Sequence, residues 1–114
     1  MSGGTTPETS SGTGFRHAGS LRALRESGYL LTDVADQIIA LRIVGDKVIA
    51  IQGECPHAGG PVGEGEIKSD CSAIICPWHG YEWDLRTGKC DEDPDLMLRR
   101  FPVRIEGDDI FVKL

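Results

Sequence analysis

No stretch of this 114-residue sequence approaches the ~18 apolar residues of a membrane span, so a spanning helix is not expected. The N-terminus lacks the basic-then-apolar pattern of a secretory signal, which makes the cytoplasm the expected location. Basic residues are in deficit, 12 against 18 acids, for a formal net charge of −6. That balance argues against a nucleic-acid backbone as partner. The length supports one small domain and leaves no room for a separate substrate domain. Gly63-Glu64-Gly65 lacks the rest of a dinucleotide fingerprint, and no Lys-Ser/Thr follows it, so phosphate binding is unsupported. There is no Ser-centred nucleophile elbow. The acidic run from Asp91 to Asp95 lacks EF-hand spacing and reads as a solvated loop.

What the sequence does have is glycine: 15 residues, about twice the usual ~7% share, which implies many tight turns and few long helices. Eleven of residues 1–14 are Ser, Thr or Gly, a composition that cannot offset its own ordering entropy. Residues 1–19 are therefore expected as a disordered N-terminal tail, and residues 20–114 as the folded domain. Ser20 to Ser27 reads as a single helical turn, with Ser20 as its cap. Beyond it the pattern is β. Gln37 to Val44 and Lys47 to Ile51 flank Gly45-Asp46, and Val103 to Glu106 and Asp109 to Leu114 flank Gly107-Asp108, both pairs suited to hairpin turns. Tyr29 to Val34, Ala73 to Ile75 and Tyr81 to Leu85 are further short strands. In the last, Tyr81, Trp83 and Leu85 share one face, so Tyr81 and Trp83 are expected in the core. The fold class is all-β and antiparallel.

Four cysteines in a short chain mean disulfides outside the cell, and metal or redox chemistry inside it. Two segments stand out, Cys55-Pro56-His57 and Cys76-Pro77-Trp78-His79, with 18 residues between His57 and Cys76. Each supplies one thiolate and one imidazole, and each is followed by glycine. A [2Fe–2S] cluster with two Cys on one iron and two His on the other needs this set, and the glycines let the backbone come close to sulfur. Two Cys and two His are also a legitimate tetrahedral zinc set. Cys71 and Cys90 fall outside the pattern and read as small hydrophobes.

Cys-x-His, a spacer and Cys-x-x-His resemble the Rieske iron–sulfur motif. The likeness extends from Cys55-Pro56-His57-Ala58-Gly59, through Cys76 to Gly88, to the return strand Leu98 to Val103, and spans roughly Tyr29 to Leu114. The spacer is slightly longer than the family usually shows. The flanking Pro, Gly and aromatic residues favour the cluster over zinc, which does not need them. The resemblance implies a Rieske-like antiparallel β-sandwich with a small cluster-binding subdomain near residues 53–95. It implies one [2Fe–2S] cluster per chain, with Cys55 and Cys76 on the buried iron and His57 and His79 on the outer one. On a single matching residue, Pro94 resembles the family's third, proline-bearing loop, which leans over the cluster.

High-potential members of the family carry a further Cys in each loop, joined in a disulfide, and a Ser after the second-loop His-Gly. Those positions here hold Gly60, Trp78 and Tyr81. Fewer donors to sulfur imply a low potential, about −150 mV. The short, low-potential form resembles Rieske-type ferredoxins, which pass electrons from a flavin-dependent reductase to a terminal oxygenase. It also resembles the small subunit of assimilatory nitrite reductase; a non-redox structural zinc module is the third reading. On the first two the chain performs no substrate chemistry alone and is monomeric or weakly associating. Trp78 is expected to shield the cluster or to pack, and His17 to face solvent. Residues 54–95 hold ten acids and three bases, while the rest of the chain holds eight acids and nine bases. All of the excess negative charge thus lies in the segment with the ligand motif, which marks it as a docking face for a basic redox partner.

Overall fold

The computed structural model describes residues 14–57, 59–78 and 80–114. Among the described residues, ten strands form three antiparallel sheets, accompanied by one short helix and a 3₁₀ turn. The helix α1 (Leu21–Ser27) is short because both its ends are capped. The Ser20 hydroxyl accepts from Ala23 N–H at 3.2 Å, and Gly28, in the left-handed region, donates to Leu24 O at 2.8 Å.

The first sheet joins β1 (Phe15–Ser20), β10 (Asp109–Lys113) and β9 (Val103–Glu106) in that order. β1 corrects the expectation of a disordered tail through residue 19, since Phe15 to Ser20 pair with Lys113 to Asp109. The strand escapes a periodicity reading because a bulge between His17 and Gly19 breaks its alternation, and only Ala18 is buried. His17 is exposed as expected, its ring 3.0 Å from the Asp109 carboxylate.

The second sheet runs β2 (Tyr29–Val34), β3 (Gln37–Val44), β4 (Lys47–Gln52), β8 (Arg100–Phe101). The β2–β3 hairpin turns through Ala35 (φ 50°) and Asp36 (φ 67°), left-handed residues with no glycine. Each L side chain there is strained by roughly 1–2 kcal/mol. Ala35→Asn combined with Asp36→Gly is expected to stabilise the protein by about 1 kcal/mol. An unchanged urea midpoint would contradict this account of the turn.

β3 is the wall between two cores. Ile39 and Leu41 point into one, with Leu24, Ile110 and Val112. Ala40, on the opposite face, points into the other, with Cys55, Cys76 and Trp83. On β4 the alternation repeats, Ala50 facing the first core and Ile51 the second. The second core is closed by the third sheet, β5 (Glu66–Ile67), β6 (Ala73–Ile75) and β7 (Glu82–Asp84), and by the 3₁₀ turn Val62–Glu64. Gly63 sits so close to Ala40 that a Cβ there would collide with the Ala40 methyl. Arg42, two residues along the same face of β3, donates from one guanidinium nitrogen to Gly63 O (2.9 Å) and Gly65 O (2.6 Å). Burial pulls its pKa below the usual arginine range, and its two carbonyl acceptors tie the 3₁₀ turn to β3.

Candidate metal centre

The two predicted ligand loops share one backbone frame. In the first, after β4, Cys55 N–H donates to Gly60 O (2.7 Å) and Gly59 N–H to Cys55 O (2.8 Å). In the second, between β6 and β7, Cys76 N–H donates to Tyr81 O (2.9 Å) and Gly80 N–H to Cys76 O (2.9 Å). Each loop thus closes with the same pair of bonds, four and five residues beyond its cysteine. The glycine four residues on has φ +73° in one loop and +74° in the other, a conformation that L side chains rarely adopt. Proline after each cysteine stiffens the frame further.

The frame sets burial. Cys55 is 4% exposed and Cys76 2%, both in the second core. His57 lies on the exposed side of the first loop. Its ring stacks on Tyr81, with centroids 4.2 Å apart and planes at 29°. The loops meet a second time at Gly60, where a Cβ would fall 2.9 Å from two atoms of the Trp78 indole. Trp78 otherwise stands open, 62% exposed. His79, the fourth predicted ligand, lies outside the described residues. Among the described residues no three His, Cys, Asp or Glu side chains form a ready cage for a single ion.

The expected core role of Trp83 holds: it is fully buried on β7, opposite Ile74. Tyr81 is half-buried, and its stack on His57 is a role that strand alternation alone does not reveal. Cys90 is buried in the same core, and its Sγ donates to Glu92 Oε1 at 3.1 Å. Burial, reinforced by that carboxylate, pushes the thiol pKa up, so Cys90 stays a neutral thiol. Cys71 stands exposed in a turn, with φ 64°. Pro94 is exposed in the turn between Cys90 and Leu96. Exposed Glu54, Glu64, Asp91, Glu92 and Asp95 belong to the acidic segment.

These donors suit an iron–sulfur group. Two buried thiols in identical knuckles give soft ligands in a dry setting, and an imidazole at the rim gives a harder one. Two buried donors among the described residues, Arg42 Nε and Trp83 Nε1, have no acceptor.

Paired cysteine-and-histidine knuckles set into an antiparallel β scaffold define a small iron–sulfur module. A family model of the Rieske [2Fe–2S] domain matches residues 16–102, and the chain belongs to that family. The match begins ahead of Tyr29, within β1. The 3-phenylpropionate/cinnamic acid dioxygenase ferredoxin subunits of Escherichia coli (strain K12) and Shigella boydii are each 37% identical over 81 residues, covering 68% of this chain and 73% of theirs. The ferredoxin of carbazole 1,9a-dioxygenase from Nocardioides aromaticivorans IC177 superposes with a TM-score of 0.76 at 26% identity, over 89% of this chain and 98% of its own. A Mycobacterium tuberculosis protein described as an NADH-dependent nitrite reductase small subunit gives 0.73 at 20% identity, over 86% and 92%, and shares the fold.

Proposed function

We propose that the chain is a one-electron carrier whose [2Fe–2S] cluster is held by Cys55, His57, Cys76 and His79. It takes electrons from a flavin-dependent reductase and delivers them to a terminal oxygenase, in the cytoplasm where reduced nicotinamide feeds such reductases. The observation that carries this reading is the pair of matched knuckles with buried thiols and an exposed His57. When bound, the cluster supplies reversible one-electron transfer. The chain's own residues set its surroundings. Cys55 and Cys76 offer thiolates away from water, and the Gly59 and Gly80 turns hold both loops in shape. Tyr81 fixes the plane of the His57 ring, leaving the ring's outer side toward solvent and a partner. The dioxygenase ferredoxin relatives favour the oxygenase as acceptor over the nitrite reductase reading, which rests on fold alone.

Purified protein is expected to contain two irons and two acid-labile sulfides per chain, about what a single cluster holds, and a rhombic paramagnetic signal after dithionite reduction. A colourless preparation with one zinc per chain would sink the proposal and support a zinc module. The acidic segment makes a second expectation. Electron transfer with the reductase or oxygenase should slow as salt rises, because the excess negative charge steers a basic partner over roughly a Debye length, about 8 Å at physiological ionic strength. Rates flat from low to high salt in stopped-flow mixing would count against an acidic docking face.

A further inference from the structure

Arg42 is an unusual residue for the face of β3 that turns toward the second core. Its Nε lies buried with no acceptor, and Arg42 takes part in none of the ion pairs among the described residues. Taking a guanidinium out of water without a counter-charge is unfavourable, and burial lowers its pKa. A methionine would cover the same sheet without that penalty. What Arg42 has in return is two acceptors held by one nitrogen. Its Nη1 donates to Gly63 O at 2.9 Å and to Gly65 O at 2.6 Å. Hydrogen bonds from a charged donor are roughly twice as strong as neutral ones.

Both carbonyls belong to the stretch that lies between the two knuckles. Gly63 is inside the 3₁₀ turn Val62–Glu64, which follows the first knuckle directly. Val62 N–H donates to Gly60 O at 2.8 Å, the same oxygen that accepts from Cys55 N–H at 2.7 Å. Gly63 N–H reaches back to Gly53 O at 3.3 Å, on the other side of that cysteine. Gly65 serves the second knuckle. A Cβ there would collide with Ile75 O, so the two backbones touch, and Ile75 is the residue before Cys76. Glu66 then pairs with Ile75 in the β5–β6 ladder. One guanidinium nitrogen thus holds both the exit of the first knuckle and the support of the second.

We propose that Arg42 is a positioning residue for the metal centre: by clamping the 3₁₀ turn to β3 it fixes the spacing of the two knuckles, and so governs how firmly the cluster is retained. The proposal rests on the ligand reading above. The side chain acts through Gly63 and Gly65 on the loops that carry Cys55 and Cys76. A group bonded to two loops is released when either loop opens, so its release rate follows local opening. Without the clamp, both carbonyls lose their charged donor and the turn opens more readily, while the strand ladders of the three sheets stay paired.

The test follows iron release to excess chelator from full-length holoprotein, with Arg42→Met and Arg42→Lys beside the wild type. Methionine keeps the apolar stem and removes the donors. Lysine restores a cation with three N–H bonds, enough for two carbonyls that share one nitrogen. Arg42→Met is expected to release iron about tenfold faster, the loss of roughly one charged hydrogen bond, and Arg42→Lys to stay within about threefold of wild type. A packing role predicts no difference between Arg42→Met and wild type. Far-UV circular dichroism recorded alongside is expected to stay native as iron leaves. Arg42→Met at the wild-type rate, Arg42→Lys no slower than Arg42→Met, or release only as the sheets unfold each overturns the proposal. If Arg42→Met does not load, Arg42→Lys decides: loading supports the clamp, and failure to load overturns it. A wild-type preparation with zinc and no sulfide overturns the ligand reading itself, which separates the two failures.

Discussion

Cys76→Ala is expected to yield protein with no visible iron–sulfur absorption and no rhombic signal, while Cys90→Ala keeps both. The two cysteines are equally buried, each 2% exposed, and share one core. Burial therefore does not separate them; local backbone and charge do. Cys76 opens a knuckle whose N–H and carbonyl are tied to Tyr81 and Gly80, fixing the direction in which its sulfur leaves the chain. Its twin at Cys55 is tied in the same way to Gly60 and Gly59. Cys90 has no such frame, and its thiol is held neutral by burial and by Glu92. A ligand must be a thiolate, so a raised pKa disfavours Cys90. Loss of a ligand thiolate removes one of four covalent attachments, and the cluster should be lost almost completely. Cys90→Ala removes one buried sulfur and should lower stability by about 1 kcal/mol or somewhat more. Iron and sulfide analysis of both variants checks this. A colourless Cys90→Ala protein beside a coloured Cys76→Ala protein would reverse the assignment.

The hairpins were legible because their turns carry the chemistry that turns require. Gly45-Asp46 and Gly107-Asp108 mark the β3–β4 and β9–β10 turns, and Gly45 and Gly107 do adopt positive φ. The β2–β3 turn carries no such mark, since Ala35 and Asp36 take the same conformation against their preference. The ligand loops were legible because the cysteine, proline, histidine and glycine lie within a few residues of one another. Contacts between the loops were not. Trp78 on Gly60 and His57 on Tyr81 each join residues at least 18 positions apart, brought together only when β4, β6 and β7 assemble. The two-core plan was hidden for a related reason. Ile39, Ala40 and Leu41 read as a continuous apolar run, and only packing on both faces of β3 assigns them to different cores.

The loop contacts lead to the second large expectation, a midpoint potential near the low end of the Rieske range, about −150 mV. Within that family the range extends to about +300 mV, so the expected displacement is several hundred millivolts. Potential follows the number of donors aimed at sulfur and the stiffness of the loops that aim them. At position 81 a short hydroxyl side chain would be free to donate locally. The tyrosine there lays its ring against His57 instead, which braces the ligand but places an aromatic face where a donor would stand. At positions 60 and 78 the loops are joined by an indole packed on a glycine, a contact that excludes water from one side and leaves most of Trp78 open. No thiol stands at either position to form a cross-link. Redox titration of the purified holoprotein checks the sum. A midpoint above about +100 mV would mean that donors outside these loops dominate, and that the residues at 60, 78 and 81 do not govern the potential.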